Sequence, residues 1–333
     1  MKTNKLFYIL HSGKKNKLLY YMQNYVQLAI PRAWFRMKLK HVFEEALERP
    51  DYDYIKERVD YYNKLEGEAS GFVSNAESVC IGKQSMCRQK VYFFDSYIYT
   101  RWFPENLKWK LCPGDITYVP EIPSVVKSRP IVEHNENSVV MKLNKIRHFI
   151  FVNDRKSFSE KKDMAVFRGK VGAPGTKEYK EKRYRFMKMY WQHPMCDAGE
   201  IAGKHNNPQW LVPKMTIREH LDYKFILAIE GNDVSTNLKW VMSSNSLAVM
   251  PRPCFETWFM EGKLIPNYHY VEIKDDFSDL EERMNYYISH PEEAQAIIDH
   301  AHKFVAQFKD KRRERLISLL VLGKYFHKTG QVF

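Results

Sequence analysis

The sequence predicts an α/β protein whose amino-terminal third is helical. The stretch Tyr223 to Met250 reads as an apolar strand (Phe225 to Ile229), a polar turn at Glu230-Gly231-Asn232-Asp233, a helix opening at Ser235 or Thr236, and a second apolar strand, Ser246 to Met250. From His148 onward, strand-like runs alternate with helical ones, the order expected of a parallel sheet. In the first third, by contrast, apolar residues recur at helical spacing.

Taken in order, Leu18 to Ile30, Ala33 to Leu47 and Tyr54 to Leu65 are expected as helices. Asp51-Tyr52-Asp53 has the DxD form of a metal-binding motif. It follows Pro50 and opens a helix, so N-capping is the better reading. Gly71 to Lys90 is irregular, and Val91 to Phe94 reads as a short strand ending at Asp95. The section CPGDITYVPEIPSVVKSRPI carries Pro113, Pro120, Pro123 and Pro130. It is too proline-dense for regular elements and too hydrophobic for a free linker, so an ordered loop lining a cleft is expected.

Phe149 to Val152 and Ala165 to Phe167 are then expected as strands, with a glycine-bearing turn from Phe167 to Gly175 and a charged helix from about Lys177 to Gln192. Further helices are expected near Thr216 to Leu221, Asp279 to Ser289 and Pro291 to Lys309.

Composition narrows the function. The chain has 333 residues, 44% of them apolar and 14% aromatic, enough for two ordinary domains with real cores. A formal charge of +13 favours acidic partners, whether phosphorylated small molecules, anionic lipid or nucleic acid. Nucleic acid is disfavoured because none of its usual binding motifs is present. Cys80, Cys87, Cys112, Cys196 and Cys254 form no CxxC or Cys/His run, which fits a reducing compartment and argues against zinc. The apolar run Leu6 to Leu10 is too short for a signal peptide, and no window approaches the ~18 apolar residues of a membrane span. A soluble, cytoplasmic protein is expected.

Two basic segments, Pro31 to His41 with Trp34, Phe35 and Met37, and Lys309 to Arg315 ahead of Leu316 to Leu322, suit either a solvated helix face or an anionic membrane surface.

Motifs exclude more than they assert. Gly169, Gly172 and Gly175 are spaced GxxGxxG, not the dinucleotide GxGxxG, and no Walker A, HExxH or GxSxG occurs. What remains is the strand-turn-helix at Phe225 to Lys239. It places backbone N–H groups and a helix start at the carboxyl edge of a strand, where α/β sheets bind phosphorylated ligands. Lys239 in that helix adds a cation. With the second glycine turn beside Gly169, the pattern suggests a nucleotide-sugar site.

AVFRGKVG (Ala165 to Gly172), LDYKFILAIEGNDVSTNLKWVMSSNSLAVM (Leu221 to Met250) and PNYHYVEIKDDFSDLEERMNYYISHPEEAQAIIDHAHKFV (Pro266 to Val305) together resemble glycosyltransferase family 90. RVDYYNKL (Arg58 to Leu65) and GDITYVPEIPSVVKSRPI (Gly114 to Ile131) extend the resemblance toward the bacterial, lipopolysaccharide-modifying branch.

The resemblance implies a GT-B architecture, two Rossmann-like domains facing a central cleft. An acceptor-side domain would cover 1–155 and a donor domain 156–308, with a final helix, 309–333, packing back on the first. It also implies a UDP-sugar donor, a glycan or glycolipid acceptor such as lipopolysaccharide core, inversion at the anomeric carbon, and no metal or other cofactor. The enzyme would then work at the inner face of the inner membrane.

Without a metal, fixed cations and N–H groups must neutralise the departing diphosphate. Arg168 with Gly169, Gly231, Ser235, Thr236, Asn237 and Lys239 are the candidates, although animal relatives carry Arg at the place of Asn237. The family's base is an aspartate that follows a strand in the N-terminal half. Asp95 fits that description, with Asp115 as its rival. Glu256 is the candidate for a contact to the donor's ribose or hexose. The alternative is a non-catalytic nucleotide-sugar or polyanion-binding protein on the same fold.

Overall fold

The protein is described here by a computed structural model covering residues 12–67, 72–86, 89–201 and 207–333. The apolar run Leu6 to Leu10 and Cys87 lie outside the described residues. The chain divides into two compact units, each built from separate stretches of sequence.

The sheet unit takes Arg147–Cys254 and Glu261–Gln307, together with residues 12–15. Its five strands are β1 (Lys162–Gly169), β2 (Cys196–Glu200), β3 (Tyr223–Leu227), β4 (Leu247–Met250) and β5 (Val271–Glu272). All pair in parallel, in the order β2-β1-β3-β4-β5. Each parallel connection needs a crossover, and helices Glu181–Tyr190, Leu280–Ser289 and Pro291–Ala306 pack on this sheet. The central strands read as continuous apolar runs because both faces are covered: every residue of β3 and β4 is buried. Phe167, Phe186, Phe225, Met187 and Phe277 fill the core between sheet and helices. Each such side chain contributes about 1.5–3 kcal/mol by leaving water.

The helical unit takes Asn16–Ile146, Phe255–Met260 and Phe308–Phe333. Helices Arg32–Leu47, Tyr52–Tyr62 and Lys90–Thr100 pack around the last helix, Lys311–Lys328, which buries Leu316, Leu319, Leu322, Tyr325 and Phe326. Its one parallel sheet among the described residues has three short strands, Leu111–Cys112, Ser124–Val126 and Ser138–Val140.

The segment Phe255–Met260 is anchored in this unit by a stack of Trp258 on Tyr62, with centroids 3.9 Å apart. Trp258 Nε1 also donates to Glu314 at 2.7 Å. Glu314 is buried and ion-paired to Arg58 at 2.7 Å and Lys142 at 2.6 Å. A carboxylate can be buried at this cost only because several donors meet it.

Several sequence expectations change. Val91 to Phe94 begins a helix, Lys90–Thr100, rather than forming a strand. Its aromatic run has high strand propensity, but Tyr92, Phe94, Tyr97 and Tyr99 are all buried, and a helix that is apolar around much of its circumference belongs inside a unit. Phe149 to Val152 stays outside the sheet: Val152 N donates to Ser243 Oγ at 2.9 Å instead of to a neighbouring strand.

The proline-rich section does form regular pairs, because Ser124–Val126 and Ser128–Pro130 fit between its prolines. The helix after the polar turn is one turn long, Leu238–Val241, with Asn237 before it. β2 was not legible because CDAGE has no apolar alternation; it is the sheet's edge strand.

Candidate active site

The strand order locates a ligand crevice before any side chain is considered. From β1 the chain moves outward to β2, then returns to the other side of β1 for β3 and continues to β4 and β5. The reversal falls between β1 and β3. In open α/β sheets a crevice opens at the carboxyl ends of the two strands flanking such a reversal. Those ends are Gly169 and Leu227, so the loops meeting there are the two glycine turns found in the sequence, Lys170 to Gly175 and Ala228 to Asn237.

Arg183, in the helix Glu181–Tyr190, joins the two loops. Its Nη1 donates to Lys170 O at 3.2 Å, while Nε and Nη2 donate to Ile229 O at 3.1 and 2.9 Å and Nε also to Glu230 O at 3.1 Å. Burial pulls this guanidinium below an ordinary arginine, against the raising influence of Asp233 and Glu230. It remains a cation at neutral pH. Gly231 lies against it: a Cβ there would sit 3.1 Å from Arg183 Nη2.

Neighbouring Lys182 reaches Glu230 and Cys254 Sγ, both at 3.3 Å, and Asp275 at 3.6 Å. Desolvation opposes its charge, but Glu230 and the other acidic neighbours more than offset it and raise its pKa. Gly172 turns the first loop with φ +73, and a Cβ would meet the Glu178 backbone at 2.5 Å. No side chain fits there without the loop moving.

The expected donor residues divide sharply. Lys239 is fully buried and donates to Glu261, itself buried, so its ammonium is committed to the core of the sheet unit. Arg168 Nη2 pairs with Asp197 Oδ1 at 2.6 Å, and Nη1 donates to the carbonyls of Asp197 and Phe167 at 2.6 and 2.9 Å. Burial alone would raise the Asp197 carboxyl, but the Tyr223 hydroxyl and Arg168 hold it below the usual carboxylate range. Both side chains are therefore held in ion pairs within the sheet unit.

Ser235 donates to Asn237 Oδ1 at 2.5 Å, and Asn237 Nδ2 donates to Leu227 O at 2.9 Å, which fixes the end of the turn to the end of β3. Thr236 and Asn237 remain half-buried at the loop surface. In the first turn the amides of Val171 and Gly172 both donate to Glu200 Oε1 at 3.0 Å. That carboxylate takes N–H groups which a phosphate would otherwise use.

The acid–base candidates lie in the helical unit. Asp95 is 1% exposed. It accepts from Tyr20 Oη at 2.8 Å and Lys145 N at 2.8 Å, with Lys145 Nζ at 3.5 Å. Desolvation opposes the Lys145 charge, but Tyr99 and Asp95 raise its pKa overall. A general base must reach the acceptor hydroxyl, and Asp95 sits mid-helix in a cage.

Asp115 is placed differently. Its side chain is 33% exposed, paired at 2.5 Å to a Lys127 that is itself 2% exposed. Glu121, in the same proline-rich loop, is exposed. Glu256 is buried in the helical unit, where it accepts from Arg129 Nε at 2.7 Å and from the Tyr61 hydroxyl. Arg129 is buried as well and also donates to Tyr61 O at 2.7 Å and Ser138 O at 3.0 Å. Glu256 thus closes a buried hydrogen-bonded network within the helical unit.

Sequence reasoning did not single out Arg183 and Lys182, which the fold brings to the two turns. The available signal was a charged helix directly after a glycine turn, whose first turn must face that turn's carbonyls. No group of three or more His, Cys, Asp or Glu able to hold a metal occurs among the described residues.

A family model described as Glycosyl transferase family 90 matches residues 136–313. The chain is 38% identical over 316 residues to a protein named O-glucosyltransferase LpsA from Dichelobacter nodosus, covering 93% of this chain and 95% of that one. It is also 26% identical over 174 residues to the uncharacterized protein 035R of Invertebrate iridescent virus 3, covering 46% of this chain and 16% of the viral protein.

Proposed function

The chain belongs to glycosyltransferase family 90, and we propose that it moves a sugar from a UDP-sugar to a glycan acceptor with inversion and without a metal. The observation that carries the site is the switch point between β1 and β3, where Arg183 ties both glycine turns together. The name of the bacterial relative points to glucose as the sugar. The branch that the sequence resembles points to a lipopolysaccharide-core or related glycolipid acceptor, met at the inner face of the cytoplasmic membrane. The reading is GT-B, with the sheet unit holding the donor. No helix among the described residues is long and apolar enough to cross a membrane.

In this reading the UDP diphosphate lies across the ends of β1 and β3. Arg183 and Lys182 take up the negative charge that grows as the bond from the anomeric carbon to the diphosphate breaks. The acceptor oxygen attacks from the opposite face, forming the new glycosidic bond, and a carboxylate takes its proton. Exposure favours Asp115 or Glu121 for that step over Asp95. Thr236 and the loop amides near Gly231 complete the donor contacts.

The deciding experiment is transfer and donor hydrolysis over a panel of UDP-sugars, with and without a chelator. Turnover with UDP-glucose that survives chelation is the expected result. Arg183→Met should lower kcat by about 10²-fold or more. A second reading is favoured by the loss of Arg168 and Lys239 to ion pairs: a protein that binds nucleotide sugar without using it. Tight UDP binding with neither hydrolysis nor transfer on any donor would establish that reading instead.

A further inference from the structure

The first basic segment noted in the sequence and the apolar run Leu316 to Leu322 that follows the second, some 280 residues on, both line one hollow of the helical unit. It is a partly open hollow of about 580 Å³, within the ~300–1,000 Å³ typical of small-molecule sites. Its walls are apolar: Leu39, Phe43 and Leu47 from Arg32–Leu47, Trp102, Leu320 from the last helix, and Phe333. Its charged lining is Arg36, Lys40 and Glu44, the last within 3.8 Å of Lys40. Exposed Arg315 lies over the Trp102 ring, 5.9 Å from its centroid. Cations therefore outnumber carboxylates around an otherwise greasy hollow.

That combination selects the occupant. A sugar or nucleotide would set hydroxyls and ring nitrogens against Leu, Phe and Trp side chains that cannot pair them. An alkyl chain matches the walls, and an anionic end matches Arg36, Lys40 and Arg315. The helix carrying Arg36 and Lys40 also exposes Trp34 and Met37, at 49% and 74%, and Lys38 sits 4.0 Å from the Trp34 ring centroid. Cations interleaved with exposed aromatic and aliphatic side chains suit a helix lying at a lipid headgroup layer.

We propose that this cavity binds one acyl chain of an anionic phospholipid, with the lipid phosphate held by Arg36, Lys40 and Arg315. The site is independent of the sugar-transfer reading, since none of its residues belongs to the switch point. It would seat the helical unit on a membrane by extracting a chain rather than by surface charge alone.

The test titrates the full chain with lysophosphatidylglycerol below its critical micelle concentration, followed by calorimetry and tryptophan fluorescence. Lysophosphatidylcholine and inorganic phosphate serve as controls. One lysophosphatidylglycerol per chain is expected, bound at least about tenfold tighter than the zwitterionic lipid, a ~1.4 kcal/mol preference. Leu320→Trp, at a half-buried wall position, should fill the hollow and abolish binding while the circular dichroism stays unchanged. Leu47→Trp, at an exposed position, repeats the test if that variant fails to fold. Arg36→Glu combined with Lys40→Glu should remove the preference for the anionic lipid. Equal affinity for the two lipids, binding that survives a folded cavity-filling variant, competition by phosphate alone, or adsorption to vesicles with no uptake of monomeric lipid would each overturn the proposal.

Discussion

Both units bury ion pairs, but only in the sheet unit does strand order also bring two loops together at one edge. In the sheet unit, strand order brings two loops to one edge, and a half-buried arginine spends its donors on their carbonyls. In the helical unit, carboxylates and cations pair off in buried networks around Glu314, Glu256 and Asp95. The proline-rich loop of that unit leaves two carboxylates, Asp115 and Glu121, near water. The difference teaches that a sheet's topology creates a site by geometry, whereas helical packing tends to consume polar groups as fasteners.

The sharpest way to break this comparison is to remove carboxylates one at a time. Asp115→Asn or Glu121→Gln, whichever is the base, should lower kcat about 10²–10⁴-fold with the urea midpoint preserved. Asp95→Asn should instead lower the midpoint while the surviving folded protein keeps its kcat. Were Asp95→Asn to abolish turnover at full stability, the cage around it would have to open during catalysis.

Next in size is the Lys239–Glu261 pair. Lys239→Met leaves a carboxylate buried, and a loss of about 3–5 kcal/mol of stability is expected by chemical denaturation. The double variant Lys239→Met with Glu261→Gln should recover much of it. A Lys239→Met protein of normal stability whose KM for the UDP-sugar had risen would return that lysine to the donor site.

A smaller effect is expected at Gly172. Alanine there meets both a positive φ and the Glu178 backbone, so a cost of about 1–3 kcal/mol is expected, read as a lowered Tm with weaker UDP binding.

The smallest effect concerns Asp197, whose carboxyl is held low in the fold by Tyr223 and Arg168 against the opposing effect of burial. An unfolded aspartate titrates near about 3.9. Its stabilising contribution is therefore complete above that pH and is lost as pH falls through the lower, folded value. Asp197→Asn should flatten the acid limb of the stability profile, leaving the neutral region displaced only by a constant. An unchanged acid limb would show that the Arg168 pair carries no linkage.

Much of the sheet unit was legible in the sequence because its signals are local. YKFIL and LAVM announce strands buried on both faces, and the glycines of the two turns mark where the chain must bend tightly. The helices at Arg32–Leu47, Tyr52–Tyr62, Leu280–Ser289 and Pro291–Ala306 followed from apolar spacing within about one turn of helix. VYFFDSYIYT was misread because aromatic runs favour strands until burial on several sides decides otherwise. CDAGE was missed because Cys196 and Ala198 are its only apolar side chains, although four of its five residues are buried.

By itself, the sequence determined that this protein has a parallel α/β portion, where its two glycine turns fall, and which family it resembles. Each of those depends on residues close together in the chain. Tertiary structure alone decided which cations stay available. Lys239 and Arg168 looked free until Glu261 and Asp197 arrived beside them from 22 and 29 residues away. Arg183 became the link between the turns only once β1 and β3 lay side by side. Charge pairing is set by proximity in space, at separations that no local pattern encodes.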